Sequence, residues 1–283
     1  MLKAAILMAT ATQSLAVVSG SHLEVWNYFR HTRKSAALSI PLKVDSCSRW
    51  VWMRTGLFCS GGFGHGDGTK EAYEVGQSGR VVRLLDMKAS RSNHGLWFDW
   101  ARERVFVFGG GGVSFTGDHG TTQECTVYVD CNNYKDLRTC EVLGGGRWRE
   151  LPGMQEARAD FNPCAFGKRV YVCGYPSVSI EAFDPEACVF HQLQVHLLER
   201  SACLLVVENN QLLVLTDNYA TRWEAGQHHS LRQISQTQHS MHGKVCNAPP
   251  VLDSVNSLLY ITAEGVCFSI SLEDGVKRRA AID

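Results

Sequence analysis

The sequence RVFVFGG at 104–110 begins an ordered series of short motifs in the middle of the chain. It is followed by TVYVD at 126–130, by RWRELPGM at 147–154 and by a single arginine, Arg158, after which the series restarts with RVYVCG at 169–174. An apolar run that ends in glycine predicts a buried strand followed by a sharp turn, because glycine adopts positive φ angles without strain. The recurrence of the series predicts an internal repeat.

The same pattern, a basic residue followed by an apolar run that ends in a small residue or glycine, recurs along the whole chain. Its spacings are 46, 42, 67, 42 and 44 residues, and the long one contains an insertion. The pattern begins at Lys3, Arg49, Arg91, Arg158, Arg200 and Lys244. Repeats of about 40–50 residues are typical of β-propeller blades. We therefore predict an all-β fold, a six-bladed β-propeller of four-stranded antiparallel blades. The single domain covers 1–283, with blades at about 1–45, 46–87, 88–154, 155–197, 198–240 and 241–283.

Each unit divides into four short segments in which apolar and polar residues alternate, the pattern of a half-buried strand. The predicted second strands are 15–18, 57–59, 104–108, 169–173, 211–215 and 258–262. The predicted third strands are 22–26, 71–75, 125–129, 178–183, 219–223 and 265–270. The predicted fourth strands are 36–42, 80–86, 147–151, 189–195, 230–235 and 276–282, and the first strand of unit four is 162–166. Because each unit has four strands of its own, we expect closure by packing of blade one on blade six.

The motifs of units three and four resemble the kelch repeat, which has a double glycine after an apolar strand, a tyrosine in the next strand, a tryptophan followed by an LP-M motif, and an arginine before the next unit. Unit two keeps Gly61-Gly62 and Tyr73, whereas units one, five and six match weakly. No Trp-Asp dipeptide supports a WD40 propeller. The resemblance, which includes the central domain of galactose oxidase, implies a propeller with large aromatic residues, Trp148 among them, between blades. It also implies function as a protein-binding scaffold or adaptor.

Composition limits the classes of function. The chain has 28 Lys and Arg against 28 Asp and Glu, so general binding of nucleic acid is not expected. The sequence contains no run of 18 apolar residues, so no membrane span is predicted. The 11 cysteines lack a C-x-x-C pair and several lie in apolar runs, which favours free thiols and a cytoplasmic, reducing location. The apolar residues after Lys3 fit a first strand, and a short secretory signal is the alternative.

Four sequence features suggest chemistry, and each has a simpler structural interpretation. The glycines at 109–112 lack the Lys-Ser/Thr of a phosphate loop and fit an inter-strand loop over 111–124. Cys131 and Cys140 flank a polar segment and are expected to be free thiols, with a disulfide as the alternative. Two further groups have metal-ligand chemistry: Glu156, Asp160 and Cys164, and His228, His229, His239, His242 and Cys246.

These groups do not amount to a predicted catalytic or metal site, and no cofactor is expected. There is no G-x-S-x-G motif, and the copper ligands of galactose oxidase relatives have no counterpart that can be placed here. The spacing of Glu156, Asp160 and Cys164 resembles an E-x-x-x-D-x-x-x-H iron motif of plant kelch specifier proteins, with cysteine in place of histidine. An enzyme or metal protein, similar to a sialic acid mutarotase or a specifier protein, stays the alternative function.

Loops that join second to third strands, and fourth to next first strands, are predicted to converge on one face, where recognition residues are usually located. The aromatic, acidic and polar residues of these loops are the candidate partner-binding residues: Phe63, His65, Asp67, Phe115, Asp118, His119, Tyr175, Asn218 and Tyr219. The resemblance implies a protein partner such as a ubiquitin-ligase subunit, a cytoskeletal protein or a large assembly. No segment is left over for an F-box or BTB domain, so a ubiquitin-ligase role would need a separate subunit.

Overall fold

The structure is a computed structural model. It describes residues 4–9, 14–19, 21–27, 32–40, 42, 47–62, 68–113, 134–200, 203–208, 211–216, 218–225, 231–238, 251–253, 258–263, 266–271 and 277–279. All regular secondary structure over these ranges is β-strand. The fold is therefore all-β, as predicted.

The first three sheets are antiparallel, and each has four strands. Sheet 1 contains β1 (Ala4–Ala9), β2 (Ser14–Ser19), β3 (His22–Asn27) and β4 (Thr32–Ala37). Sheet 2 contains β5 (Arg49–Trp52), β6 (Gly56–Ser60), β7 (Ala72–Gly76) and β8 (Val81–Arg83). Sheet 3 begins with β9 (Gly95–Asp99) and β10 (Arg104–Phe108), is interrupted by a hairpin of β11 (Gly111–Val113) and β12 (Tyr134–Asp136), and ends with β13 (Cys140–Gly144) and β14 (Arg147–Leu151).

The remaining sheets repeat this up-and-down order. A two-residue strand, β15 (Phe161–Asn162), pairs in parallel with the first strand of sheet 5. Sheet 4 contains β16 (Cys164–Phe166), β17 (Arg169–Val172), β18 (Ser179–Asp184) and β19 (Val189–His196). Sheet 5 contains β20 (Cys203–Glu208), β21 (Gln211–Leu215), β22 (Tyr219–Ala225) and β23 (Leu231–Gln238). Sheet 6 contains β24 (Val251–Asp253), β25 (Leu258–Ala263), β26 (Val266–Ser271) and β27 (Lys277–Arg279).

All six predicted second strands are confirmed as β2, β6, β10, β17, β21 and β25. The prediction for the third strand of unit three is wrong: 125–129 lies outside the described residues, and the strand that pairs with β10 is β13. The predicted first strand of unit four is divided into β15 and β16 at Pro163, which has no N–H to give to a ladder. The last strand of sheet 1 is Thr32–Ala37, a few residues before the predicted 36–42.

Consecutive sheets pack face to face, with a separate apolar core between each neighbouring pair from sheet 1 to sheet 5. Between sheets 2 and 3, Trp148 of β14 is 7% exposed and its ring meets Phe58 of β6 edge-on at 6.2 Å between centroids. The indole N–H of Trp148 donates to the carbonyl of Leu85 at 2.7 Å, so it bonds sheet 3 to the residues that follow β8. The predicted position of this tryptophan between units is confirmed.

The first strands of neighbouring sheets also lie beside one another: β1 contacts β5, β5 contacts β9, β9 contacts β15, and both β15 and β16 contact β20. Strands alternate in direction within each sheet, so two of the connections lie at the same end of the strands, which we call one edge of the sheet. These are the connection from the second to the third strand and the connection to the next sheet. The other two turns of each sheet lie at the opposite edge. In sheets 1 to 5, whose first strands lie side by side, the connections from second to third strand and to the next sheet therefore lie on one face.

Candidate functional site

The face that carries these connections is held together by backbone hydrogen bonds, and we call it the loop face. The N–H of Gly62 donates to the carbonyl of Arg91 at 3.0 Å, and the N–H of Gly110 donates to that of Arg158 at 2.7 Å. Each bond joins the loop of one sheet to the connection that leads into the next. The loop face consists of the described parts of 61–71, 84–94, 109–139, 152–160, 173–178, 197–202 and 216–218.

Glycine is required where these loops approach one another. Gly109 has a φ of 57°, and a Cβ placed on it would lie 2.4 Å from the carbonyl oxygen of Arg158. Gly61 has a φ of 63°, and a Cβ there would lie 2.4 Å from the carbonyl oxygen of Arg91. The predicted use of the glycine pairs at sharp turns with positive φ is confirmed. The close approach of two backbones is a second reason that glycine is required at these positions.

Arg91 is fully buried on the loop face of sheet 3 and serves as the centre of a polar cluster. Its guanidinium donates to the Glu141 carboxylate at 2.9 Å and to the carbonyls of Gly109 and Thr139 at 2.6 and 2.8 Å. Glu141 also accepts the backbone N–H of Lys88 at 2.7 Å. The buried charges are therefore paired and hydrogen-bonded, as burial of an ion requires.

The same cluster occurs at the equivalent place in sheet 4. Arg158 is fully buried and donates to the Glu181 carboxylate at 2.9 Å, and to the carbonyl and hydroxyl of Ser179 at 2.7 and 2.6 Å. Glu181 accepts the N–H of Gln155 at 2.8 Å, just as Glu141 accepts that of Lys88. Two neighbouring sheets thus share one arrangement of buried charge.

The arginines that open the units do not all have the same role. Arg91 and Arg158 donate to backbone carbonyls within their own sheets. Arg49 instead begins β5, and its Nε donates at 3.1 Å to the carbonyl of His94, the residue before the first strand of the next sheet. Its Nη2 lies 3.3 Å from the carboxylate of Asp160, so it links three successive units.

The residues before β5, β9 and β15 form a polar junction around Arg49. The N–H of Asn93 donates to the carbonyl of Cys47 at 3.0 Å, and the N–H of Asp160 donates to that of Asn93 at 2.9 Å. Asn93 and Asp160 have φ angles of 54° and 55°, a conformation that asparagine and aspartate accept more readily than other non-glycine residues. Equivalent positions of three units are therefore bonded in succession.

His94 is the buried neutral group of this junction. Its Nε2 lies 2.9 Å from the Ser60 hydroxyl, and its Nδ1 has no hydrogen-bond partner among the described residues. Complete burial, and then the positive charges of Arg49 and Arg91, hold the pKa of His94 well below its ordinary value. A neutral imidazole avoids a third buried cation beside these two arginines.

A second polar group lies beside the turn that carries Tyr175. The hydroxyl of Ser177 donates to the Glu156 carboxylate, and the side-chain amide of Gln192 donates to it at 3.2 Å. The bond from Ser177 is the main reason that the pKa of Glu156 is lowered. Glu156 is therefore an anion at neutral pH. Its two hydrogen bonds link the segment 152–160 to sheet 4.

Three of the predicted partner-binding residues are described: two lie on the loop face, and the third directly follows it. Tyr175 is 49% exposed, and its carbonyl accepts the N–H of Ala159 at 2.7 Å. Asn218 is exposed, and its side-chain amide donates to Glu199 at 2.7 Å. Tyr219 begins β22 and is partly buried. The other six lie outside the described residues: Phe63, His65, Asp67, Phe115, Asp118 and His119.

The residues at metal-ligand spacing do not meet. Glu156 bonds to Ser177 and Gln192, Asp160 pairs with Arg49, and Cys164 lies on β16. In the part of the chain that the structure describes, no group of three or more His, Cys, Asp or Glu could hold a metal ion. The second group, His228, His229, His239, His242 and Cys246, lies outside the described residues.

Cys140 is a free thiol in β13, and Cys131 lies outside the described residues. Burial raises the pKa of Cys140 to about 12, so this thiol is neutral at physiological pH. Over the described ranges, no helix is long and apolar enough to cross a membrane.

Comparison with known proteins leaves the family open. No protein-family model matches this sequence. None of the curated proteins compared with it gives a significant match. The functional argument therefore depends on the residues and geometry given above.

Proposed function

We propose that the chain is a closed six-bladed propeller of the kelch type that binds a protein partner through its loop face. Six successive sheets, each with four antiparallel strands and one with the added parallel strand β15, support this architecture. Apolar cores between neighbouring sheets, and first strands that lie side by side, support it from sheet 1 to sheet 5. The repeated clusters of Arg91 with Glu141 and of Arg158 with Glu181 support a blade repeat. In this proposal sheet 1 packs on sheet 6, with no shared blade.

The observation that carries the binding role is Tyr175, a half-exposed aromatic side chain on a fixed backbone. The carbonyl of Tyr175 is bonded to Ala159, and Ser177 two residues later is bonded to Glu156. A tyrosine held in this way loses little conformational entropy on binding, which favours its use as an anchor. Covering roughly 100 Å² of its ring would contribute about 2–3 kcal/mol.

The polar residues around Tyr175 would surround this anchor with hydrogen-bonding groups. Glu156 is anionic, and Asn218 and Glu199 form an exposed pair on the neighbouring sheet. An aromatic centre with a polar rim is the usual anatomy of a transient protein interface. In this role the chain is a scaffold or adaptor, inside the cell, for a ubiquitin-ligase subunit, a cytoskeletal protein or a component of a large assembly.

The experiment is an affinity pull-down from native extract, analysed by mass spectrometry, together with elemental analysis of the purified protein. Wild-type protein, Tyr175→Ala and Val189→Ala are the baits, because Val189 is an exposed apolar residue at the opposite edge of sheet 4. We expect a stoichiometric protein that is captured by wild type and Val189→Ala and lost with Tyr175→Ala. Bound iron, copper or zinc without a protein partner would instead favour the enzyme or metal-protein alternative.

A further inference from the structure

A cleft of about 630 Å³ opens on sheet 2 at the edge opposite the loop face. Its walls are the turn between β5 and β6 and the turn between β7 and β8. The lining is rich in hydrogen-bond donors: two guanidinium groups, two hydroxyls and one side-chain amide, from Arg54, Arg80, Thr55, Ser78 and Gln77. The volume is in the usual range for a small-molecule site, but the lining is far more polar than usual.

One wall is fixed by Arg54. Its Nη2 donates to the carbonyl of Trp100 at 2.9 Å, and its Nε lies 3.1 Å from the Glu103 carboxylate. These contacts tie the turn between β5 and β6 to sheet 3. A guanidinium has five N–H groups, so three of those on Arg54 are still available to a ligand.

The other wall is fixed by Gly79 at the tip of the hairpin between β7 and β8. The φ of Gly79 is 83°, and a Cβ there would lie 2.1 Å from the carbonyl oxygen of Ala37 in sheet 1. The carbonyl of Gly79 also accepts the N–H of Ser39 at 2.9 Å. Both walls are therefore supported by neighbouring sheets, and the cleft is formed before any ligand arrives.

Arg80 is the positive charge of the cleft that has no ion-pair partner among the described residues. It is exposed, and its guanidinium has no ion pair or hydrogen bond with any residue in the described part of the chain. Arg83, three residues later, differs because it pairs with Asp86 at 3.0 Å and with Glu71 at 3.6 Å. Glu74 also lines the cleft and would repel an anion, and Glu103 offsets the charge of Arg54.

We propose that this cleft binds a phosphate monoester, with Arg80 as its main charge partner. The donors stand on two walls, and a tetrahedral phosphate with three acceptor oxygens can use more of them than a planar carboxylate can. Arg54 with Thr55 would bind from one wall, and Arg80 with Ser78 from the other. The site is separate from the loop face, so it does not depend on the proposed protein-binding role.

The test is isothermal titration calorimetry of the whole chain at low salt with O-phospho-L-serine, with inorganic phosphate and with L-serine. We expect O-phospho-L-serine to bind with a Kd of about 1 mM or below and L-serine not to bind. Arg80→Gln should weaken binding at least about tenfold. Glu74→Gln should strengthen it by about threefold because a repulsive charge is removed.

Arg83→Gln is the matched control, because it removes a nearby arginine that does not line the cleft. It should change the Kd by less than about twofold. Each variant is first shown to melt within a few degrees of wild type. Inorganic phosphate that binds as tightly as O-phospho-L-serine would overturn the phosphate-monoester assignment in favour of free phosphate, whereas weaker binding of inorganic phosphate supports a phosphate monoester. The proposal fails if none of the phosphate probes binds, or if Arg83→Gln weakens binding as much as Arg80→Gln.

Discussion

Replacing Trp148 with alanine is expected to destabilise the fold by about 3–5 kcal/mol, the usual cost of deleting a buried tryptophan side chain. The indole is 7% exposed and lies in the apolar core between sheets 2 and 3, next to Phe58. Its N–H bond to the carbonyl of Leu85 contributes about 1 kcal/mol to this loss, since the carbonyl can find water instead. In a chain of this length the expected fall in Tm is about 10 °C.

The assay is urea denaturation followed by circular dichroism, with Trp148→Phe and Leu85→Ala as companions. Phenylalanine keeps part of the packing and loses the hydrogen bond, so its cost should be smaller than that of alanine. Leu85→Ala retains the acceptor carbonyl, and its side chain is 62% exposed, so the free energy of unfolding should change by less than about 0.5 kcal/mol. A Trp148→Ala protein as stable as wild type would refute the packing of sheet 3 on sheet 2.

The remaining predictions concern the loop face. Glu181→Ala leaves Arg158 buried without its counter-charge and should cost about 3–5 kcal/mol in urea denaturation, and a cost below 1 kcal/mol would contradict the buried pair. Gly109→Ala should lower the Tm, because the new Cβ meets a backbone carbonyl. Gly145 has a similar φ and nothing within 4 Å of an added Cβ, so Gly145→Ala should lower the Tm less. Equal effects of the two substitutions would argue against the close approach at Gly109. The pKa of His94 is lower in the fold than in the unfolded chain, so below about pH 6.5 the unfolded chain binds more protons at this residue. The contribution of His94 to the free energy of unfolding is therefore complete above about pH 6.5 and is lost as the pH falls below that value. His94→Gln should therefore reduce the decrease in unfolding free energy between pH 7 and pH 5, and an unchanged pH dependence would mean that His94 is protonated in the fold.

The strands next to the glycine turns could be predicted from the sequence because their pattern is strictly local. An apolar run followed by glycine at 104–110 identifies β10 at its observed bounds. The third strand of sheet 3 could not be chosen in this way, because 125–129 has the same alternation as Cys140–Gly144. The signal that distinguishes them is the two-residue turn Gly145-Gly146, in which both residues have positive φ and which joins β13 directly to β14.

The polar clusters of the loop face could not be predicted, because their members are far apart in sequence. Glu141 and Glu181 each lie within a strand, where an isolated carboxylate suggests an exposed position. Only the fold shows that each is buried against an arginine from the preceding connection. The role of Arg49 was missed for the same reason, since its partner Asp160 lies 111 residues away.

The most direct test of the protein-binding role is the affinity of the captured partner, purified and measured by biolayer interferometry against immobilised protein. The account predicts that Tyr175→Ala weakens the Kd by at least about thirtyfold, equivalent to the loss of about 2 kcal/mol that defines an anchor residue, through faster dissociation. Val189→Ala, at the opposite edge, should bind as wild type does. Equal affinities for wild type and Tyr175→Ala, or a loss confined to Val189→Ala, would contradict binding through the loop face.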